Sequence, residues 1–288
     1  MFDATFRQRT VPQFSSRKWR YSRAANLLAR RRNTIGARLI TRAAHAWIDA
    51  TQNVQFDITT DGEMEMLRQL RHADVSTVFD VGANIGGWAA TAARTLCRPH
   101  VHCFELDAEN RVLLERHVAK LDGRFTVAPR GLDRERGTVS YDFYPEETAL
   151  TSILRIPHSS PAERRQADVM TGDEYMENNR IDRVDLLKVD VEGTEGRVLE
   201  GFSQTLREER VRVVQFEYGL ANVVARCLLA DMYRLLEEAG FSVGRLFPDG
   251  VDFRPYELTA ETFRGGNFVA VHANEVRLAQ QLAATGKR

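Results

Sequence analysis

Four short stretches of this 288-residue sequence carry residue types that bind charge or move protons, at spacings that suggest one site. The first is Phe79-Asp80-Val81-Gly82-Ala83-Asn84-Ile85-Gly86-Gly87-Trp88, an apolar run entering a Gly-rich turn. Glycines in such a turn let the backbone approach a ligand closely, and free N–H groups at the following helix start attract a negative group. The second is Glu105, 25 residues after Asp80 and at the end of Val101-His102-Cys103-Phe104. The third is Lys188-Val189-Asp190-Val191-Glu192-Gly193-Thr194-Glu195, and the fourth is Val213-Val214-Gln215-Phe216-Glu217-Tyr218.

The spacing separates ligand classes. A dinucleotide fold uses GxGxxG, whereas Gly82 and Gly86 stand four apart with Ala83 and Asn84 between them. An acid at Asp80 repels a pyrophosphate and suits a cationic amino group. DxGxxxG therefore fits the amino-acid end of S-adenosylmethionine, with a tight ligand-free turn as the alternative. A carboxylate at the end of the next strand, the place of Glu105, accepts hydrogen bonds from ribose hydroxyls in doubly wound folds. Alternation puts Lys188, Asp190 and Glu192 on one side of their strand and its end. Lys188 among Leu and Val needs a carboxylate partner, because an unpaired buried charge is costly.

These residues require a scaffold of alternating strands and helices, and the chain supplies its pattern from Thr77 onward. Val78–Val81 and Val101–Leu106 read as strands, with Ala89, Ala92, Ala93 and Leu96 between them on a helix face. Phe125–Leu132, Thr138–Tyr144, Val184–Val191, Val211–Tyr218, Phe241–Leu246 and Asn267–Val271 read as further strands, with a helix over Leu229–Ala239. The reading is one α/β domain, 73–274, with a mostly parallel sheet and helices on both faces. A basic arm with helices precedes it over 1–72, and a helical tail follows over 275–288. Tyr144–Asp168 reads as an insertion above the carboxyl ends of the strands.

The set DVGANIGGW, FEL, KVDVEGTEGRVLEGF and QFEYG resembles the FkbM family of S-adenosylmethionine-dependent methyltransferases, over about Thr77–Val271. KVDVEGTE is the most diagnostic part, and Thr171–Tyr175 is similar to a TLDxY-like stretch of the family. Leu106 departs from the proline usual after the second acid, which leaves the ribose role of Glu105 intact and puts the local turn in question. The resemblance implies a seven-stranded class I methyltransferase sheet and O-methylation of a hydroxyl on a sugar, glycoside, glycolipid or macrolide-type natural product. It also implies a cofactor site of Asp80, Gly82, Asn84, Gly86, Glu105, Leu106, Leu132 and Asp190.

An alcohol is a poor nucleophile at neutral pH and needs a base or an acidifying metal. Asp190 or Glu217 can accept the proton, or hold a divalent cation such as magnesium with Glu192 as a third oxygen donor. The spacing does not choose between these. His158, in the insertion, is an alternative base. The acceptor pocket is expected from Tyr141–His158, Tyr218–Arg226 and Leu246–Tyr256, with Phe143, Tyr144, Tyr218 and Phe247 as stacking aromatics.

Composition bounds the remaining classes. Hydrophobic residues at 43% and charged residues at 28% are ordinary for a globular chain, and no apolar run reaches a membrane span. Three cysteines without CxxC spacing speak for a reducing, cytoplasmic setting rather than a disulfide framework or structural zinc. The net charge of zero hides an asymmetry: residues 1–50 hold 11 Lys and Arg against Asp3 and Asp49, a balance of +9, so the rest carries −9. The arm suits self-association through its helices, an acidic carrier or a phosphorylated substrate. Nucleic acid fits poorly, because Asp190-Val191-Glu192-Gly193 stands where amine methylases have Asn/Asp-Pro-Pro-aromatic, and an acidic cleft repels phosphates. A non-catalytic cofactor-binding protein is the other alternative, opposed by the joint presence of Asp80, Glu105, Asp190 and Glu217.

Overall fold

The computed structural model describes residues 23–156 and 159–285. The chain divides into two compact units, Met1–Ile48 and Asp49–Arg288. Helix α1 (Arg23–Arg30) and the greater part of α2 (Ile35–Thr51) belong to the first. The second opens with α3 (Glu63–Leu70) and continues through β1 (Thr77–Val81), α4 (Gly87–Thr95), β2 (His100–Phe104), α5 (Ala108–Val118) and β3 (Arg124–Ala128). β4 (Gly131–Leu132), β5 (Gly137–Phe143) and β6 (Glu163–Met170) follow, then α6 (Gly172–Asn179), β7 (Val184–Val189), α7 (Glu195–Glu200) and α8 (Ser203–Arg207). β8 (Val211–Glu217), α9 (Ala221–Ala225), α10 (Leu229–Glu238), β9 (Phe241–Phe247), β10 (Gly250–Phe253), β11 (Asn267–His272) and α11 (Val276–Leu282) complete it.

The main sheet runs β10-β9-β11-β8-β7-β1-β2-β3. β3, β2, β1, β7 and β8 are mutually parallel, and β11 lies antiparallel between β8 and β9. This is the expected α/β sheet with one strand more than seven. Pro248-Asp249-Gly250, a hairpin turn by its residue types, folds β10 back on β9. β1, β7 and β8 are buried on both faces, so they read as apolar runs rather than alternating ones. Phe79, Phe104, Leu187, Phe202 and Phe216 fill one layer, and Leu67, Val78, Ala89, Leu186 and Val213 fill the other. α3 joins the second layer through buried Met66, Leu67 and Leu70.

The run Phe125–Leu132 is not one strand: β3 ends at Ala128, and β4 leaves for a second sheet of order β4-β6-β5. β6 lay inside the expected insertion. Its first residues, Glu163-Arg164-Arg165-Gln166, are polar and largely solvent-facing, so they carry no burial pattern. The small sheet is held over the start of α5. Asp107 caps that helix by accepting from the Glu109 and Asn110 amides, and also accepts from Tyr141 Oη at 2.8 Å and Arg165 Nη1 at 2.7 Å. The insertion is thereby anchored beside Glu105.

Candidate active site

Strand register assembles the site. Asp80, Lys188 and Gln215 are direct neighbours across β1, β7 and β8, forming a polar row in an apolar sheet. With a side-chain period of two, Gly82, Asp190 and Glu217 stand one step farther toward the carboxyl ends on the same face. Open α/β sheets bind ligands at those ends.

The row is a charge network under the site. Lys188 Nζ lies 2.9 Å from Asp190 Oδ2 and 3.7 Å from Asp80 Oδ1, and 5.5 Å from the centre of the Trp88 ring. Burial opposes the lysine's charge, but Asp190, Asp80 and Glu63 together hold its pKa above the ordinary value. Glu63, from α3, accepts a hydrogen bond from Gln215. Asp80 is fully buried, and neither carboxylate oxygen has a hydrogen-bond partner among the described residues. Burial lifts its pKa to about 6, against the pull of Lys188.

Above the row, Gly82 and Gly86 both have φ near +87°, and Asn84 has φ of +45°. A Cβ on Gly82 would sit 1.7 Å from the Asp190 carbonyl oxygen, so only glycine fits there. Glu105 closes the turn: its Oε2 accepts from the Asn84 amide and its Oε1 from the Asp107 amide, each at 2.8 Å. Burial pushes the Glu105 pKa up to about 7.

Two cavities meet here. One, of about 50 Å³, is lined by Gly82, Asn84, Glu105, Leu106, Leu132 and Asp190, six of the eight residues expected around a cofactor. Asp80 and Gly86 are not in that lining, and Gly86 packs against Leu114 of α5. The other cavity, of about 210 Å³, is bounded by Phe56, Tyr144, Leu150, Ile156, Glu217, Gly219–Asn222 and Arg264. Glu192 borders both. It holds a left-handed backbone, φ +56°, rare outside glycine and suggestive of a functional constraint. Glu195 braces that turn by accepting from the Val191 amide at 3.1 Å and the Gly193 amide at 2.9 Å.

Asp190, Glu192 and Glu217 offer carboxylate oxygens within 4.8 Å of one another. Burial alone raises an Asp190 pKa, but the Lys188 charge and hydrogen bond overcome it and hold that carboxyl below its usual range. Glu217 goes the other way. Burial and then the charges of Asp190, Glu192 and Glu195, whose carboxylates crowd it, push it well up. Glu192 is raised to about 8 by burial, then by Asp190 and Glu195.

Several expected residues lie elsewhere. His158 is outside the described residues. Leu246–Tyr256 forms the β9–β10 hairpin and its exit, and lines neither cavity. Of the four stacking aromatics only Tyr144 reaches the larger cavity: Arg165 stacks on Phe143, and Tyr218 is buried with its hydroxyl on Glu261. Thr171 caps α6, Asp173 accepts from the Gln204 and Thr205 amides, and Tyr175 Oη meets His102 at 2.9 Å. That motif is structural. Sequence reasoning missed Phe56 and Arg264. The Thr148–Ile153 stretch, expected within Tyr141–His158 at the acceptor pocket, lines the larger cavity through Leu150 only and otherwise the smaller one, where the Thr148 hydroxyl contacts Asn84 Oδ1 at 3.1 Å.

Parallel strands with acids at their carboxyl ends around a Gly-rich turn are the frame of a class I methyltransferase. Residues 80–243, more than half of the chain, match the Methyltransferase FkbM domain. The chain belongs to this family, and it is an S-adenosylmethionine-dependent methyltransferase. It is 25% identical over 183 residues to the hexuronic acid methyltransferase AglP of Haloferax volcanii, spanning 63% of this chain and 70% of that protein. Among solved structures it is similar to methyltransferase FkbM from Methylobacillus flagellatus KT, with 16% identity and a TM-score of 0.45. That match covers 71% of this chain and 48% of the other, so the chain spans about half its length. An O-methyltransferase from Bacillus cereus in complex with SAH matches at 12% identity and a TM-score of 0.42, over 85% of this chain and 97% of that one.

Proposed function

We propose that the protein methylates a hydroxyl of a sugar or glycoside, and that the transfer crosses the wall formed by Asp190, Glu192 and Glu217. The observation that carries this reading is the sharing of that wall. Asp190 faces the cofactor side, Glu217 faces the larger cavity, and Glu192 borders both. Displacement at a methyl group needs the acceptor oxygen held in line, so a site split at its acids matches the chemistry.

The smaller cavity suits the cofactor chemically. It has a close backbone approach at Gly82 and acceptor oxygens at Glu105. Asp80, two residues before Gly82, is a buried carboxylate with an ion pair to Lys188 but no hydrogen-bond partner among the described residues. Bound S-adenosylmethionine supplies an activated methyl group. A cavity of about 50 Å³ is below the ~300 Å³ of ordinary ligand pockets, so the Thr148–Ile153 loop must lift to admit it. In the larger cavity Glu217 takes the acceptor's proton once its pair with Asp190, which Lys188 keeps ionised, has given up the proton the two share. Phe56 and Tyr144 offer apolar faces to a sugar ring. Arg264 also borders the cavity, with its Nε on Asp49 at 2.7 Å, and the charge it shares with that carboxylate would meet a uronate, the kind of acid named for the Haloferax relative.

A divalent cation held by Asp190, Glu192 and Glu217 is the second reading, favoured by the convergence of their oxygens. We place the reaction in the cytosol, where Cys97, Cys103 and Cys227 stay free thiols. Incubating the protein with cofactor and a panel of neutral glycosides, uronate glycosides and macrolactones, with and without EDTA, tests these readings. A methylated glycoside formed in EDTA supports sugar O-methylation through the carboxylate base. Loss of transfer in EDTA, restored by magnesium, shifts the chemistry to a metal, and methylation of macrolactones alone refutes the sugar acceptor.

A further inference from the structure

Helix α2 is 17 residues long and buries none of them. Its large apolar side chains face solvent, with Ile35, Leu39 and Ile40 each at least 60% exposed, and Leu27 and Leu28 on α1 are more than half exposed. The helical period gathers Leu39, Ile40 and Ala43 on one side of α2 and sends Arg38 and His45 to the other, with Ile35 and Arg42 side by side at the border between the two. Arg30, Arg31 and Arg32 lie at the junction of the two helices.

We propose that this arm docks in the plane of an anionic lipid bilayer, with the apolar side of α2 in the headgroup boundary and the arginines against lipid phosphates. Each rival partner satisfies half of the surface. A second copy covers the apolar side but brings two +9 segments together. Nucleic acid neutralises the arginines and leaves Ile35, Leu39 and Ile40 in water. An anionic bilayer meets both demands, and it is the usual setting of a helix with a basic face and a large apolar face. The docking is in-plane, because no helix among the described residues is long and apolar enough to cross a membrane.

The test is sedimentation of the full-length protein with phosphatidylcholine vesicles, with and without phosphatidylglycerol, at low and high salt. The protein should pellet with the anionic vesicles only and release as salt rises. Replacing Arg30, Arg31 and Arg32 by Gln should weaken partitioning roughly 100-fold, at about fivefold per arginine. Leu39→Asp with Ile40→Asp should abolish pelleting while circular dichroism and S-adenosylhomocysteine affinity stay unchanged, since both residues are exposed. Three results overturn the proposal: no pelleting with anionic vesicles, equal pelleting with neutral ones, or pelleting that survives Leu39→Asp/Ile40→Asp. A dimer that this double substitution disperses, without vesicle binding, assigns the face to a second copy instead.

Discussion

Asp190 and Glu217 end neighbouring strands within hydrogen-bonding reach, and two carboxyl groups that close resist carrying two full charges. Lys188, on the Asp190 side, decides which of them holds the proton: Asp190 stays ionised and Glu217 keeps its hydrogen. The pair titrates as a unit. Losing its shared proton completes the base, so turnover under saturating cofactor should rise with pH, with an apparent pKa above the ordinary carboxylate range. Glu217→Gln should erase that ascending limb, read from kcat profiles of the two proteins; an unchanged limb assigns it to another group. Glu192 and Glu195 look alike in sequence but differ in role. Glu195 spends one carboxylate oxygen on the Val191 and Gly193 amides and the other on the Asn222 side-chain amide, and borders the larger cavity only, whereas Glu192 borders both.

At the scale of elements, the β1–α4 turn is where backbone geometry leaves least freedom. Gly82→Ala combines a left-handed φ with a Cβ at 1.7 Å from the Asp190 carbonyl, and should destabilise by about 3 kcal/mol or more in urea unfolding. Gly87→Ala, five residues on and inside α4, meets nothing within 4 Å and should stabilise by roughly 0.5–1 kcal/mol. Equal effects would refute this account of the turn. The acids at the ends of β1, β2, β7 and β8 were legible in the sequence, because buried parallel strands write apolar runs and their polar ends stand out. Thr148–Ile153 was legible only as part of the Tyr141–His158 range, expected at the acceptor pocket rather than at the smaller cavity, and Phe56 and Arg264 were not legible. Thr148-Ala149-Leu150-Thr151-Ser152-Ile153 mixes polar and apolar residues without a period, and Phe56 and Arg264 reach the larger cavity from distant segments through loop paths that local pattern does not encode. Glu63 was hidden for another reason: a helix pattern does not show that one of its acids will point at a buried glutamine.

Across the whole molecule, the acid surplus of the second unit is partly concentrated where it opposes folding. Glu192 titrates near 8 in the folded protein because burial, Asp190 and Glu195 disfavour its charge, against 4.5 in its ordinary state. The folded state therefore keeps a proton that the unfolded chain has released. Its stabilising contribution is full below about pH 4.5 and is lost as pH rises through about 8. Glu195 and Glu105, each raised to about 7 chiefly by burial, act in the same sense. Glu192→Gln should raise Tm by roughly 2–4 °C at about pH 9, the shift that ~1 kcal/mol gives in a domain of this size, and leave Tm at about pH 4 unchanged. A Tm gain of the same size at both pH values would argue against the charge explanation. The zero net charge thus conceals an asymmetry: an acidic body of the chain and a basic arm, for which we propose different tasks.

The proposed carboxylate wall is tested most directly by Glu217→Gln, because Glu217 lines the larger cavity and not the smaller one. Turnover on a methylatable glycoside and S-adenosylhomocysteine affinity by titration calorimetry should be measured on the same preparation. The account predicts a loss of about 10²–10⁴-fold in kcat, as for removal of a general base, with Kd changed by less than about twofold. Wild-type kcat at unchanged Kd would contradict it.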